Sequence, residues 1–154
     1  MFKEMRRSDK MLSNEEMLDI METAEYGILS TMGENGFPYG VPVNFVYKDN
    51  NIYFHCALTG HKLENISYNS NVSFCVVKDV ELIPDDFNTK FKSVISFGKA
   101  EEVTDNKKNE VFKLFIEKFS KEFIPQGMEY IKKASSGAKI FGIKVEHMTA
   151  KGKK

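Results

Sequence analysis

Between Ile28 and Ala57 the chain has room for little but antiparallel strands. Ile28 to Met32 is a strand-length run, and Gly33-Glu34-Asn35-Gly36 turns it back with an Asn-Gly pair. From Tyr39 to Tyr47 the residues alternate, with Val41, Val43, Phe45 and Tyr47 on one side and Pro42, Asn44 and Val46 on the other. Asp49-Asn50-Asn51 then turns the chain into Ile52 to Ala57. Turns this short join only antiparallel neighbours, because a parallel pair needs a crossover of a dozen residues or more. The segment is a three-stranded meander.

The remainder supplies partners for that meander. Ser13-Asn14-Glu15-Glu16 is a capping box, with Leu12 and Met17 at the staple positions. Met17, Ile20, Met21 and Ala24 give the helix one apolar face, and Gly27 is its expected stop. Thr59-Gly60-His61-Lys62 opens a short helix, and Val72 to Val77 is a fourth strand. Asp79 to Lys90 has Pro84, Asp85, Asp86 and Asn88 and little periodicity, which predicts a loop. Ser93 to Val103 is a fifth strand, Lys107 to Ser120 a second amphipathic helix, Pro125 to Ser135 a short helix or turn, and Ala138 to Met148 a sixth strand. Six strands with two or three helices predict a mainly β fold with flanking helices, a small antiparallel barrel whose closure removes sticky sheet edges. A length of 154 residues, with no linker or repeat, predicts a single domain spanning 1–154.

Charge and composition exclude several functions. Lys and Arg total 22 against 22 Asp and Glu, a balance unlike that of a duplex-nucleic-acid binder. No apolar run approaches a membrane span, and Met1-Phe2-Lys3-Glu4-Met5-Arg6-Arg7 lacks a signal-peptide core, so a soluble cytoplasmic protein is expected. Cys56 and Cys75 lie in strand-like runs and read as small buried hydrophobes. The three histidines, His55, His61 and His147, have neither the spacing nor the neighbouring carboxylates of a metal site. No Gly-x-Ser-x-Gly elbow, Walker loop or Gly-x-Gly-x-x-Gly fingerprint is present.

Chemistry concentrates at Gly60-His61-Lys62. A helix start is its positive end, so cations there are mildly unfavourable unless an anion such as phosphate sits on the free N–H groups. The residues alone leave two readings, a phosphate site or an exposed lysine. His55 faces away from Ile52, Phe54 and Cys56, as a structural hydrogen-bonder or a site residue. Asn44 and Ser93 are polar groups in apolar runs, read either as solvent-facing or as donors to a polar heterocycle.

Taken in order, Tyr26-Gly27-Ile28-Leu29-Ser30-Thr31, Gly36-Phe37-Pro38-Tyr39-Gly40-Val41-Pro42-Val43-Asn44-Phe45, Tyr53-Phe54-His55-Cys56-Ala57, Gly60-His61-Lys62-Leu63-Glu64-Asn65-Ile66 and Ser93-Val94-Ile95-Ser96-Phe97-Gly98-Lys99-Ala100 resemble one family. It is the pyridoxamine 5'-phosphate oxidase-like, FMN-binding split β-barrel family, in its nitroimidazole-resistance (Nim-type) branch. The resemblance runs from about Met5 to Lys153.

That resemblance implies a six-stranded split barrel and a homodimer with FMN in the cleft between subunits. Val41, Pro42, Val43, Asn44 and Phe45 would lie along the flavin, His55 and Cys56 would line it, His61 and Lys62 would grip its phosphate, and Ser93 and Val94 would approach its ring. His55 is the expected catalytic residue, and a nitroaromatic the expected small-molecule substrate. Two departures matter. His61 stands where relatives carry Arg or Lys, so its charge depends on protonation. The Arg-x-His-type ending that pyridoxamine phosphate oxidases use on substrate is missing, so vitamin B6 oxidation is not expected. The rival expectation is a carrier or sensor holding FMN or haem on the same barrel, with a deazaflavin as a further cofactor alternative.

Overall fold

The alternating run from Tyr39 to Tyr47 breaks at Phe45, and the break shapes the whole sheet. In the computed structural model, which describes residues 1–153, the run becomes two strands, β2 (Pro38–Asn44) and β3 (Val46–Lys48). With β1 (Tyr26–Met32), β4 (Asn51–Cys56), β5 (Asn71–Ile83), β6 (Asn88–Val103) and β7 (Lys139–Gly152) they form a seven-stranded sheet, not the six strands expected. Every pairing is antiparallel, in the order β2-β1-β5-β6-β7-β4-β3. Asn44 and Val46 therefore belong to opposite edges although one residue separates them. The sheet must curl until its edges meet at Phe45. No ladder joins β2 to β3, so the barrel is split and not closed.

Phe45, Leu29, Phe54, Phe74, Val76, Val94 and Ile143 fill the interior. Phe45 meets Phe74 edge-on, with ring centroids 5.0 Å apart. Helix α1 (Asn14–Thr23) buries Ile20 and Met21 in that interior and starts with the expected capping box. The Glu16 N–H donates to Ser13 Oγ at 3.1 Å, and the Ser13 N–H donates to Glu16 Oε1 at 3.3 Å. The helix ends at Thr23 and not at Gly27. Gly27 lies inside β1, where a Cβ would stand 2.2 Å from the Phe74 ring.

The segment read as a loop from Asp79 to Lys90 is a β-hairpin. β5 continues to Ile83, a single 3-10 turn spans Pro84–Asp86, and β6 begins at Asn88. A register shift between Lys78 and Glu81, with Asp79 at φ 55°, interrupts the alternation. Because Val80 and Leu82 are exposed, the arm lacks the half-buried pattern by which a strand is recognised. Phe87 at its tip is 96% exposed.

Helix α2 (His61–Tyr68) follows β4. Helices α3 (Asp105–Phe119) and α4 (Ile124–Ala134) cover the outside of the barrel. Val111 and Phe115 of α3 pack on Val46, Tyr53 and Ile140. At Gly127 a Cβ would meet Ile116 at 2.6 Å, so the glycine sets how closely α4 approaches α3. Among the described residues, no helix is long and apolar enough to cross a membrane.

Candidate functional site

Two adjoining rows on one face of the sheet carry no lysine, arginine or carboxylate. Period-2 alternation points Leu29, Val41, Phe74, Val76 and Val94 inward, and the residues between them outward. Across the strands the outward residues align as Pro42, Ile28, Cys75, Ile95 and Thr149, and in a second row as Gly40, Ser30, Ser73, Phe97 and His147. Neither row contains a lysine, arginine or carboxylate. Ile95 is 44% exposed and Phe97 38%. Phe2 stacks on Phe97 and on His147, with centroids 5.3 and 5.1 Å away. A solvated sheet face normally alternates apolar-in with polar-out, and in these two rows the outward residues are mostly apolar or small.

Asn44 and Ser93 border this face. The Asn44 Nδ2 donates to the Glu25 carbonyl at 2.9 Å, which fixes the end of β2 against the chain entering β1. Ser93 pairs with Val77 on one side and Lys151 on the other and is nearly buried. Val94, Val41, Val43 and Phe45 turn their side chains into the core, so only their backbone faces outward.

The start of α2 lies at the other end of β2. Gly60 precedes the helix at φ 154°, a conformation that favours glycine, and no side chain caps the first turn. The His61 ring stacks on Tyr39, with centroids 3.9 Å apart. His61 also lines an open pocket of about 430 Å³ with Glu34, Glu64 and Asn65, whose two carboxylates disfavour an anion. Lys62 is not among the residues lining that pocket, and its charge acts on both His55 and Cys56. The two residues of the motif thus face different surroundings.

His55 sits on the outer side of β4, opposite the buried Ile52, Phe54 and Cys56. Its ring meets Phe115 edge-on, with centroids 4.9 Å apart. It helps line a cavity of about 350 Å³ between β4, α3 and α4, walled chiefly by Phe112, Phe115, Ile116, Ile131 and Ala134. Burial first, and the Lys62 charge second, push the imidazole below its ordinary pKa, so it is neutral at neutral pH. Cys56 is buried in the core, and burial raises its thiol pKa.

Residues 13–152 match the family described as pyridoxamine 5'-phosphate oxidase. The chain belongs to that family. Solved structures give the same fold at low identity. A candidate 5-nitroimidazole antibiotic resistance protein from Bacteroides thetaiotaomicron is 22% identical, with a TM-score of 0.77 over 93% of this chain and 86% of that one. A FAD-binding protein from Mesorhizobium loti is 21% identical, at 0.68 over 94% and 98%. HutZ, the heme storage protein of Vibrio cholerae, is 17% identical, at 0.68 over 90% and 94%. No curated protein matches the chain.

Seen as a member of the pyridoxamine 5'-phosphate oxidase family, the chain brings Lys62, His55 and Cys56 into one neighbourhood and leaves Asn44 and Ser93 on the neutral sheet face. Sequence reasoning missed Lys118. Its ammonium donates to the Phe45 carbonyl at 2.9 Å and lies 4.1 Å from the centre of the Phe45 ring. Nothing in the local sequence separates it from the other lysines of α3, because only the fold brings Phe45 to it.

Proposed function

We propose that the protein is a homodimeric, FMN-dependent oxidoreductase that reduces small neutral aromatic acceptors, nitroaromatic compounds included. The start of α2 carries the reading. An uncapped helix N-terminus presents free N–H groups, and Lys62 adds a flexible ammonium with no carboxylate in ion-pair contact among the described residues. That donor set suits a phosphate. The adjoining neutral face, with Asn44 and Ser93 at its border, suits a flat uncharged ring. The 5-nitroimidazole resistance relative and the FAD-binding relative support the same chemistry.

Each residue then has a role. Lys62 and the first-turn N–H groups hold the phosphate. Val41, Pro42, Val43 and Phe45 offer backbone along the flavin, with Val94 contributing from the next wall and Cys56 packing behind His55. His61 positions Tyr39 and the end of the helix, since its pocket is acidic. His55, neutral and facing an apolar cavity, orients an acceptor held there with a hydrogen bond from its ring N–H. FMN, when bound, supplies the electrons for the reduction.

A second copy covers the neutral face. Apolar rows of this kind mark an interaction surface, and the β5–β6 arm exposes Val80, Leu82 and Phe87 as further apolar contacts. The test is steady-state reduction of a nitroaromatic acceptor by a nicotinamide donor, with the FMN-loaded protein. Acceptor-dependent turnover supports the enzyme; bound FMN without turnover favours a carrier.

A further inference from the structure

We infer that Lys118 is a second cationic residue of the flavin site, placed at the ring end as Lys62 is placed at the phosphate end. The inference rests on the FMN reading above. Strand β2 runs from the start of α2 to the seam at Phe45. Tyr39, near the start of the strand, stacks on His61 at the first turn of α2. Asn44, at the end of the strand, leads directly into Phe45, whose carbonyl accepts from Lys118. A flavin lying along this strand with its phosphate at α2 would have its ring at the Asn44–Phe45 end, where Lys118 holds the Phe45 carbonyl.

The surroundings of Lys118 fit that role. The ammonium is half-buried between Phe45 and Phe119, 5.2 Å from the second ring centre. Glu25 attracts it from the segment before β1 and Lys78 repels it from β5, but no carboxylate pairs with it directly among the described residues. A partly desolvated cation without an ion-pair partner is costly. It gains most from a ligand that becomes more negative on reduction, as an isoalloxazine ring does. Charge placed near that ring tunes its electronics.

A structural explanation makes a different prediction. Lys118 also holds the carbonyl at the seam where the sheet edges meet, and loss of that bond alone would weaken oxidised and reduced FMN equally. The experiment is therefore the midpoint potential of bound FMN at pH 7 in wild type, Lys118→Met and Lys118→Arg, with FMN affinity and melting temperature measured beside it. Lys118→Met is expected to lose about tenfold of the preference for reduced over oxidised FMN, a fall of about 30 mV for a two-electron couple. Lys118→Arg is expected to restore most of it. An unchanged potential in Lys118→Met, whatever happens to melting or affinity, overturns the role of Lys118 alone. A wild-type chain that takes up no FMN overturns both this inference and the flavin reading.

Discussion

Tyr39 and His61 stack with ring centroids 3.9 Å apart and planes 23° apart, joining the beginning of β2 to the first residue of α2. The contact aligns an edge strand with an uncapped helix end. It occupies one face of the His61 ring, beside Lys62 at the helix start.

Lys62→Ala should weaken FMN binding about ten- to a hundredfold, the worth of a hydrogen bond to a charged group. Lys62→Arg should retain most of the affinity, and His61→Ala should cost less than Lys62→Ala. Fluorescence titration of the apoprotein with FMN measures all three, and an unaltered affinity in Lys62→Ala contradicts the phosphate assignment.

His55→Ala should keep FMN and lose turnover by about a hundredfold or more, the usual scale of a lost hydrogen-bond donor to developing negative charge. The imidazole pKa lies below its ordinary 6.5, so the unfolded chain binds this proton more readily than the folded one. His55 thus contributes stability at neutral pH that is lost as pH falls below about 6.5. NMR titration of the ring should give a midpoint below 6.5, and unchanged turnover in His55→Ala would retire its catalytic role.

Lys118 has the same sign in a higher pH window. Burial lowers its pKa from 10.5 to about 8, with Glu25 opposing and Lys78 assisting. Between about pH 8 and 10.5 the unfolded chain holds a proton that the folded chain has released, so stability from this group rises with pH. The apoprotein should gain melting temperature across that window relative to Lys118→Met. Parallel curves for the two proteins would show that Lys118 is not desolvated.

Much of this architecture was legible from residues. The capping box at Ser13 and Glu16, the Asn-Gly turn and the outward position of His55 all follow local rules that the fold leaves intact. The hairpin from Asp79 to Lys90 was not legible, because Val80 and Leu82 are apolar yet exposed and the bulge at Asp79 breaks the period. The split at Phe45 was hidden too: Val46 continues an apolar run, and nothing local shows that it is buried under α3 and not inside the barrel. Lys118 and the α3–α4 cavity depend on contacts between residues far apart in sequence, for which periodicity carries no signal. In the site, residue identity was readable at Gly60-His61-Lys62, whereas the divergence of His61 from Lys62 depended on side-chain direction.

Gly98→Ala tests the sheet itself. Gly98 adjoins the β6–β7 register shift, and a Cβ there would stand 2.2 Å from the Lys144 carbonyl oxygen and 2.9 Å from Ile143. Overpacking against backbone should cost about 1–3 kcal/mol, seen as a fall of several degrees in melting temperature. Gly137→Ala, with nothing within 4 Å of its Cβ, should stay within about 0.5 kcal/mol.

Ile95→Glu places a carboxylate on the neutral face. Light scattering behind size exclusion should show a dimer for the native chain and a monomer for the variant, with FMN lost alongside. A native monomer, or a variant dimer as tight as the native one, would contradict the assignment of this face.

The most direct measurement of the central claim is the absorbance spectrum of the freshly purified protein, with the mass of any chromophore it releases. A flavin spectrum and the mass of FMN are expected, or uptake of added FMN by a colourless preparation. A haem Soret band in place of a flavin, or a colourless protein that ignores added FMN, would contradict it.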